Sequence, residues 1–248
     1  MVEPKHIASK DNRRIKELKK LQLKKYRKKQ GLFLIEGAHL VEEAIRHDQE
    51  VHTLIALEDY DYSPYVTEGM EVITVTPGVM KLLSSLETPP GIMAAVSYRK
   101  PQPDGRHVLL LDGIQDPGNL GTLLRTADAF GFDRVILSPD TVDPFSDKVL
   151  RSAQGSTFHI EITVADALQS VREFDGRVLG TSLDGAAFLE QMELPEGPVM
   201  VVLGNEGRGV SEEVLSNVDV KMKIDMPGGS ESLNVAIAGG IIMHHFRA

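Results

Sequence analysis

The chain has 248 residues, of which 42% are hydrophobic and 25% are charged, a balance typical of a globular protein with one large core or two smaller ones. Because it contains no cysteine, the sequence excludes disulfides, thiolate-bound zinc and iron–sulfur clusters. The first residues lack the apolar core of a signal peptide, and the longest apolar stretch near the end, 235–243, is too short to cross a bilayer, so we expect a soluble cytoplasmic protein.

The net charge of −9 is distributed unevenly along the chain. Residues 1–30 hold twelve Lys and Arg against three Asp and Glu, so this segment carries +9 while the remaining 218 residues carry −18. Such asymmetry indicates a basic arm for a polyanion on an acidic body. Charge alone leaves open the alternative that the arm is simply a solvated helix face.

A basic amphipathic helix is the first element that the sequence predicts. Apolar residues recur at helical spacing between the charges of Arg13–Lys29, and Gly31 ends the pattern. Strands are then expected at Leu32–Ile35, His52–Leu57, Glu71–Val75 and Met93–Tyr98, and helices around 40–45 and at Pro77–Leu86. This alternation predicts a small α/β domain over residues 1–98.

A segment with two prolines and a glycine, 99–106, predicts a linker to a second α/β domain over 107–248. The strands predicted there are Val108–Leu111, Val135–Leu137, His159–Ile162, Val178–Thr181, Val199–Leu203 and Val220–Ile224. The predicted helices are Leu120–Phe130, Asp147–Ser152, Ala165–Phe174, Ser211–Ser216 and Leu233–Phe246. This order predicts a mainly parallel sheet with helices on both faces.

Three glycine-rich turns, 112–121, 203–209 and 226–234, follow predicted strands of this second sheet. The carboxyl ends of parallel strands form the edge at which such sheets bind ligands. The first turn is not a P-loop, because Asn119 stands where that motif requires a lysine, and the chain contains no G-x-G-x-x-G, H-E-x-x-H or G-x-S-x-G motif. The turns therefore favour a small polar ligand held by backbone groups, which glycine allows to come close, and no metal site.

The three turns resemble, in order, the motifs of the SpoU/TrmH family of SPOUT methyltransferases. The first motif is matched by Asn119-Leu120-Gly121 together with Arg125-Thr126-Ala127. The second is matched by the run 203–210, and the third by Met226-Pro227 followed by 232–236. Three motifs in order make the resemblance specific.

Residues 5–98 resemble the substrate-binding domain that often precedes this catalytic domain, whose fold is similar to that of ribosomal RNA-binding proteins. The matching segments are Ser9-Lys10-Asp11-Asn12, the basic helix, Leu34-Ile35-Glu36-Gly37 and Pro89-Pro90-Gly91. With the three motifs, the resemblance extends over nearly the whole chain.

The resemblance implies an enzyme that transfers a methyl group from S-adenosylmethionine to the 2'-hydroxyl of a ribose in RNA, without a metal, releasing S-adenosylhomocysteine. The type of N-terminal domain favours ribosomal RNA, of the large subunit, over transfer RNA. The resemblance also implies a homodimer, and a deep trefoil knot made by threading the last helix through the loop around the second motif.

Individual residues take roles by the same resemblance. The implied catalytic set is Asn119, Arg125, Glu206, Ser232 and Asn234. The implied cofactor pocket comprises Thr181, Ser182, Leu183, Leu203, Gly204, Asn205, Gly207, Ile224, Met226, Ser232 and Leu233. The residues expected to contact RNA are Arg13, Arg14, Lys16, Lys19, Lys20, Lys24 and Arg125.

Each catalytic assignment has a plainer structural alternative. Arg125 is either a surface ion-pair partner or the group that acts at the target hydroxyl; because arginine is a poor base, phosphate binding is favoured over proton removal. Glu206 either stays solvated in its loop or orders that loop, the partner's arginine or the substrate ribose.

The three remaining polar residues of the catalytic set precede or begin predicted helices. Asn119, Ser232 and Asn234 are therefore all candidate N-caps. A cap and a place near the substrate are compatible roles for one side chain.

Three other functions compete with ribose methylation. A non-catalytic RNA-binding protein is disfavoured by the intact set of polar motif residues, and a base methyltransferase by the Asn119 and Arg125 pattern of the first motif. A dinucleotide enzyme is disfavoured by the missing glycine fingerprint.

Overall fold

The computed structural model describes residues 4–99 and 105–247, so most of the predicted linker lies outside the described residues. The strands are β1 (Lys5–Ile7), β2 (Leu32–Glu36), β3 (Val51–Leu57), β4 (Glu71–Val75), β5 (Ile92–Ser97), β6 (His107–Asp112), β7 (Arg134–Leu137), β8 (Glu161–Val164), β9 (Arg177–Thr181), β10 (Ala187–Phe188), β11 (Val199–Gly204) and β12 (Val220–Lys223). The helices are α1 (Arg13–Lys20), α2 (Lys24–Gln30), α3 (Ala38–Arg46), α4 (Pro77–Leu83), α5 (Pro117–Ala129), α6 (Asp147–Ala153), α7 (Ala167–Glu173), α8 (Glu212–Leu215) and α9 (Val235–His245).

The chain forms two compact units, and the first of them includes a segment from the second half of the sequence. Unit one comprises Met1–Lys100 with Phe145–Phe158, and unit two comprises Pro101–Pro144 with His159–Ala248. The inserted segment carries α6 and belongs to the first core because its aromatic residues pack there: the Phe33 ring lies 4.9 Å from Phe145 and 6.4 Å from Phe158. The domain boundaries predicted from the linker alone do not include this segment.

Unit one is built on a five-stranded mixed sheet in the order β1-β4-β3-β5-β2. Strands β1, β4 and β3 run parallel, whereas β5 is antiparallel to both of its neighbours. Both faces are covered by apolar clusters, one containing residues of α3 and α6 and the other residues of α1 and α4. The smaller α/β domain expected at the N-terminus is thereby confirmed.

The basic segment predicted as one helix, Arg13–Lys29, is two helices, and that prediction was wrong. Helix α1 ends at Lys20, and Leu23 has extended backbone before α2 begins. The guanidinium of Arg27 is buried and its Nη1 donates to the carbonyl oxygens of Leu21 and Gln22, both at 2.9 Å. These bonds satisfy carbonyls that the break leaves without helical partners.

Unit two is built on a seven-stranded sheet in the order β10-β12-β9-β11-β6-β7-β8, in which every adjacent pair is parallel. One face packs on residues of α7 and α8. The opposite face, onto which the alternate strand residues point, meets α9 at the end of β11. The expected parallel sheet with helices on both faces is confirmed, although β10 was not predicted and β8 begins two residues later than expected.

Helix α9 packs closely on α5 and β11, and glycine makes this approach possible. A Cβ at Gly239 would lie 2.4 Å from Leu123 Cδ2 and 2.8 Å from Leu203 Cδ1, so a larger residue there would require both leucine side chains to move. Within the described residues, no helix combines the length and apolar character that a membrane span requires.

Candidate functional site

The first glycine-rich turn connects β6 to α5 and leaves the side chain of Asn119 free to reach other loops. Gly113 adopts a φ of +80°, a conformation that favours glycine. Asp116 is the N-cap of α5, and its carboxylate accepts the backbone N–H of Asn119 at 2.9 Å. Asn119 is therefore not the helix cap that its position allowed, but the third residue of the helix.

The second turn is closed by its own asparagine. The backbone N–H and C=O groups of Asn205 and Gly209 pair with each other at 3.0 and 2.9 Å, and the Asn205 Oδ1 accepts the N–H groups of Gly207 and Arg208. Its Nδ2 donates to the carbonyl of Gly113 at 2.8 Å and ties this turn to the first. With all these bonds made inside the protein, the Asn205 side chain shapes the loop.

Gly204, at the end of β11, must be a glycine because the backbone at the end of the second turn packs directly against it. A Cβ there would lie 2.0 Å from the Gly209 carbonyl carbon and from the Val210 nitrogen. Since both atoms belong to the backbone, a larger residue would displace the loop itself.

Glu206 projects from the second turn onto the first and is held there by three donors. Its carboxylate accepts the backbone N–H groups of Gln115 and Asp116 and the Asn119 Nδ2, each at 3.1 Å. Burial alone raises the pKa of Glu206, but the Asn119 side chain and the N–H groups of Asp116, Glu206 and Gln115 outweigh burial and hold the pKa below its usual value. These contacts within the chain correspond to one of the expected roles of Glu206, the ordering of the loops.

The third turn joins the same network through Asn234. Its Nδ2 donates to the Asn119 Oδ1 at 3.0 Å, while its Oδ1 accepts the N–H groups of Ala236 and Ile237 and so caps α9. Ser232 does not cap α9, contrary to the plain expectation, because the helix begins three residues later. The hydroxyl of Ser232 makes no hydrogen bond with the residues that the structure describes.

Arg125, a member of the predicted catalytic set, is exposed and has no partner among the described residues. It lies on α5, six residues after Asn119, and makes no hydrogen bond or ion pair with any residue in 4–99 or 105–247. The surface ion pair considered as its alternative role is therefore not formed among these residues. A free guanidinium on the helix that begins at the loop cluster is available for an anionic ligand.

Asp140, which the sequence analysis did not single out, joins the first and second turns from the end of β7. Its carboxylate accepts the Arg208 Nη2 and the Ser138 hydroxyl, both at 2.6 Å, and its carbonyl accepts the Gln115 side chain at 2.8 Å. The Ser138 hydroxyl and, to a lesser degree, Arg208 hold the pKa of Asp140 below its usual value despite burial. Its place after a strand of the parallel sheet is the signal that could have found it.

The residues predicted to hold the cofactor lie at the same carboxyl edge of the sheet, after β9, β11 and β12. The Thr181 hydroxyl donates to the carbonyl of Val202 at 3.2 Å, and the Ser182 N–H donates to the carbonyl of Met222 at 3.0 Å. The side chain of Leu203 is buried, which leaves only its backbone for a ligand. Gly207 is exposed in the second turn.

Several apolar side chains at this edge are exposed or half-buried. Leu183 is 62% and Leu233 37% exposed, and Ile224 and Met226 are half-buried. Together with the backbone groups of the turns, they offer the apolar wall and polar contacts that a nucleoside with a methionine tail requires. The residues present therefore fit S-adenosylmethionine.

The residues predicted to contact RNA in the first unit divide into two groups. Arg13, Arg14 and Lys16 form ion pairs with Glu17, Glu71 and Asp11 respectively. Lys19, Lys20 and Lys24 are exposed and form no ion pair with described residues.

Comparisons with known proteins agree with both halves of this architecture. Residues 106–244 match the SpoU rRNA Methylase family, and residues 12–94 match the MRM3-like substrate binding domain. The chain is 39% identical to the 23S rRNA (guanosine(2553)-2'-O)-methyltransferase of Bacillus subtilis, over 98% of this chain and 99% of that protein.

Solved structures give the same result. An S-adenosylmethionine-bound rRNA methyltransferase from Sinorhizobium meliloti superposes with a TM-score of 0.88 at 31% identity, covering 97% of this chain and 96% of that one. A putative RNA methyltransferase of the TrmH family from Porphyromonas gingivalis superposes with a TM-score of 0.88 at 34% identity, covering 97% and 99%.

Proposed function

This chain belongs to the SpoU rRNA methylase family and is an S-adenosylmethionine-dependent methyltransferase, and from that premise we propose that its three joined turns methylate the 2'-hydroxyl of a ribose in large-subunit ribosomal RNA. The observation that carries the proposal is the hydrogen-bonded chain from Glu206 through Asn119 to Asn234, together with Arg125, which lies on the same helix as Asn119 and has no partner among the described residues. It joins all three family motifs at the ligand-binding edge of the sheet.

The reaction forms one bond and breaks another. When bound, S-adenosylmethionine supplies a methyl group activated by its positive sulfur. Transfer would join the ribose 2'-oxygen to the methyl carbon as the carbon–sulfur bond breaks, S-adenosylhomocysteine would leave, and the hydroxyl proton would pass to water. Because both reactants only need to be aligned, we expect positioning by the chain to supply much of the rate.

Arg125 binds the substrate in this proposal. Its guanidinium donates to a phosphate next to the target ribose and so holds the 2'-hydroxyl in place. The positive charge also stabilises the negative charge that develops on the 2'-oxygen as its proton leaves. Its exposure and its lack of a partner among the described residues support this role.

The other four polar residues position the turns and the ribose. Glu206 and Asn119 fix the first turn against the second, and Asn234 fixes the start of α9 against the first. The Ser232 hydroxyl, which has no hydrogen-bond partner in the described chain, is available to the ribose or to the methionine moiety.

The cofactor contacts are divided between backbone and apolar side chains. We propose that the backbone of Thr181, Ser182, Gly204 and Gly207 contacts the adenine and ribose, with Leu203 and Asn205 contributing carbonyl oxygens, each of which can accept a second hydrogen bond. The side chains of Leu183, Ile224, Met226 and Leu233 form the apolar wall, which their exposure supports.

We also propose that the enzyme is a homodimer. Ile237 and Ile241 lie one turn apart on α9, form an apolar stripe and are 57% and 40% exposed. A second copy would bury this apolar stripe. The trefoil knot implied by the resemblance is likewise proposed, and the packing of Gly239 on Leu203 is consistent with it. The cytoplasmic location stays a prediction.

Calorimetric titration with S-adenosylmethionine tests the proposed site. We expect saturable binding to the wild type and none to Gly204→Ala, because the added methyl group overlaps the backbone of the second turn. Gly240→Ala is the matched control, since its added methyl group would meet nothing nearer than the Thr126 methyl at 3.8 Å, and it should bind like the wild type.

Circular dichroism must show that both variants are folded, and Glu206→Ala replaces Gly204→Ala if that variant is not. Equal binding by the wild type and a folded variant with a disrupted second turn would contradict the site. Absence of binding by the wild type, also with ribosomal RNA present, would favour the non-catalytic RNA-binding alternative.

A further inference from the structure

Helix α2 presents four lysines that nothing in the described chain neutralises. Lys24, Lys25, Lys28 and Lys29 are all exposed, and none forms a hydrogen bond or ion pair with a described residue. They form two pairs at i and i+4 spacing, and the helix contains no acidic residue. Neighbouring like charges on a helix repel each other, so a bound polyanion would stabilise this arrangement.

The cations of α1 are arranged differently. Arg13 pairs with Glu17 at 3.0 Å, and Lys16 pairs with Asp11 at 2.8 Å. Arg14 donates to Glu71 on β4 at 2.7 Å and to the Thr53 hydroxyl on β3 at 2.7 Å. These contacts compensate the charges of the first half of α1 and, for Arg14, attach the helix to the sheet.

The last two lysines of α1, like those of α2, are not compensated by a described residue. Lys19 and Lys20 are exposed and form no ion pair with the described residues. The Lys20 ammonium lies 5.6 Å from the centre of the Tyr26 ring on α2, which places it beside that helix. We call these six residues, Lys19, Lys20, Lys24, Lys25, Lys28 and Lys29, the α2 lysine surface.

The position of α2 is fixed without any contribution from these lysines. Arg27 holds the start of the helix through Leu21 and Gln22, and the Gln22 side chain donates to the Leu83 carbonyl at 2.8 Å. Gly31 ends the helix in the left-handed conformation at a φ of 68°. The surface is therefore held in place while its ammonium groups remain available.

We infer that the α2 lysine surface binds the phosphodiester backbone of the RNA substrate, and that Arg13, Arg14 and Lys16 stabilise the fold instead. The inference rests on the proposed function, which makes RNA the substrate. Because residues 31–248 carry −18, most of the chain repels RNA, and uncompensated lysines are the groups able to reverse this repulsion. Phosphate contacts of this kind are independent of sequence and weaken steeply with salt.

Fluorescence anisotropy with a short labelled RNA hairpin of arbitrary sequence tests the inference. Each phosphate contact adds roughly 0.7 to 0.9 to the slope of log affinity against log salt concentration. The variant Lys25→Gln/Lys29→Gln should therefore lower the slope by about 1.5 between about 50 and 200 mM salt and weaken binding at the lower concentration. Glutamine preserves helix propensity, so α2 should remain folded.

The comparison variant is Arg13→Gln/Lys16→Gln, which removes the same charge from α1. We expect its slope to change by less than half as much as that of the α2 variant. Equal changes from the two variants would mean that only net charge matters and would contradict the inference. Unchanged RNA binding by the α2 variant would contradict it as well and would point to another acidic partner for these lysines.

Titration of both variants with S-adenosylmethionine separates this inference from the proposed function. Both should bind the cofactor like the wild type, since the candidate site lies in unit two. If the wild type binds no cofactor, the proposed function fails while the comparison of salt slopes still decides the role of α2.

Discussion

The three turns of unit two and the α2 lysine surface of unit one handle polar groups in opposite ways. In the turns, Glu206, Asn119 and Asn234 bind one another, so their geometry is set before any ligand arrives. On α2 the lysines bind no described residue and remain available to solvent and ions. We propose from this difference that the preorganised groups serve the reaction, whereas the uncompensated charge serves the binding of a polyanion.

Arg125 lies on the helix that begins at the three turns and, like the lysines, has no partner among the described residues. Because we propose that it binds the substrate and also stabilises the developing charge, its removal should have the largest effect. Arg125→Ala should lower the rate of methyl transfer at saturating cofactor about 10²- to 10³-fold, because one charge-stabilising donor is lost. The melting temperature should not change, since Arg125 has no partner among the described residues. Arg125→Lys, which keeps the charge but not the paired donors, should retain part of the rate. Wild-type activity in Arg125→Ala would remove this residue from the site.

Breaking the preorganised network should have the next largest effect. Glu206→Gln removes a charged acceptor of four hydrogen bonds, and a hydrogen bond to a charged group contributes about 1.5–3 kcal/mol, so we expect roughly a 10- to 100-fold loss of methyl transfer. Weaker cofactor binding should accompany the loss. Glu213→Gln is the control, because the carboxylate of Glu213 on α8 is exposed and makes no hydrogen bond or ion pair with a described residue. Equal activities of the two variants would show that the network is dispensable.

The hydrogen bonds to Glu206 should weaken only at low pH, where its carboxylate becomes protonated. The folded pKa of Glu206 is lowered, so its contribution is fully present above its ordinary value of 4.5 and is lost as the pH falls through the lower folded value. Between neutral pH and pH 5 Glu206 should therefore stay ionised and should not make the cofactor affinity, measured by calorimetry, depend on pH. If the cofactor affinity of the wild type fell in that pH range while the affinity of Glu206→Gln did not, the lowered pKa would be contradicted.

Substitution of Asn234, compared with substitution of Ser232 in the same turn, should have a smaller effect, on stability. Asn234→Ala removes the N-cap of α9 and the bond to Asn119, and loss of such a cap costs about 0.5–2 kcal/mol. Ser232→Ala should leave the free energy of unfolding unchanged, because its hydroxyl binds no described residue. Chemical denaturation of both variants measures the difference, and equal stabilities would mean that the cap does not stabilise α9.

The ion pair between Asp140 and Arg208 should matter least. Its side chains are 51% and 62% exposed, and exposed pairs contribute about 0.2–1 kcal/mol. Asp140→Asn should therefore weaken cofactor binding less than about fivefold at low salt, and less still at high salt, where screening already weakens the pair. A loss as large as that of Glu206→Gln would make this pair part of the central network.

The sequence predicted most elements of both sheets, because burial on both faces leaves long apolar runs that are easily recognised. It did not predict the break between α1 and α2, since the apolar spacing continues through Leu21 while the break depends on the buried Arg27. The grouping of Phe145–Phe158 with the first unit was equally hidden, because it rests on contacts with Phe33 that are distant in the chain.

The site shows the same limit. The family motifs located all three turns, but which side chain caps which helix depended on geometry: Asp116 caps α5 and Asn234 caps α9. The sequence also could not show which basic residues form ion pairs, because the partner of Arg14 is Glu71, 57 residues away in the chain. Local pattern identifies candidate groups, whereas their availability depends on long-range neighbours.

Methyl transfer from labelled S-adenosylmethionine to ribosomal RNA lacking the modification, followed by nucleoside analysis of the product, tests the central claim most directly. The account predicts that the label appears in a 2'-O-methylated nucleoside of the large-subunit RNA with the wild type and is lost with Arg125→Ala. Label in a methylated base, or incorporation that does not depend on Arg125, would contradict it.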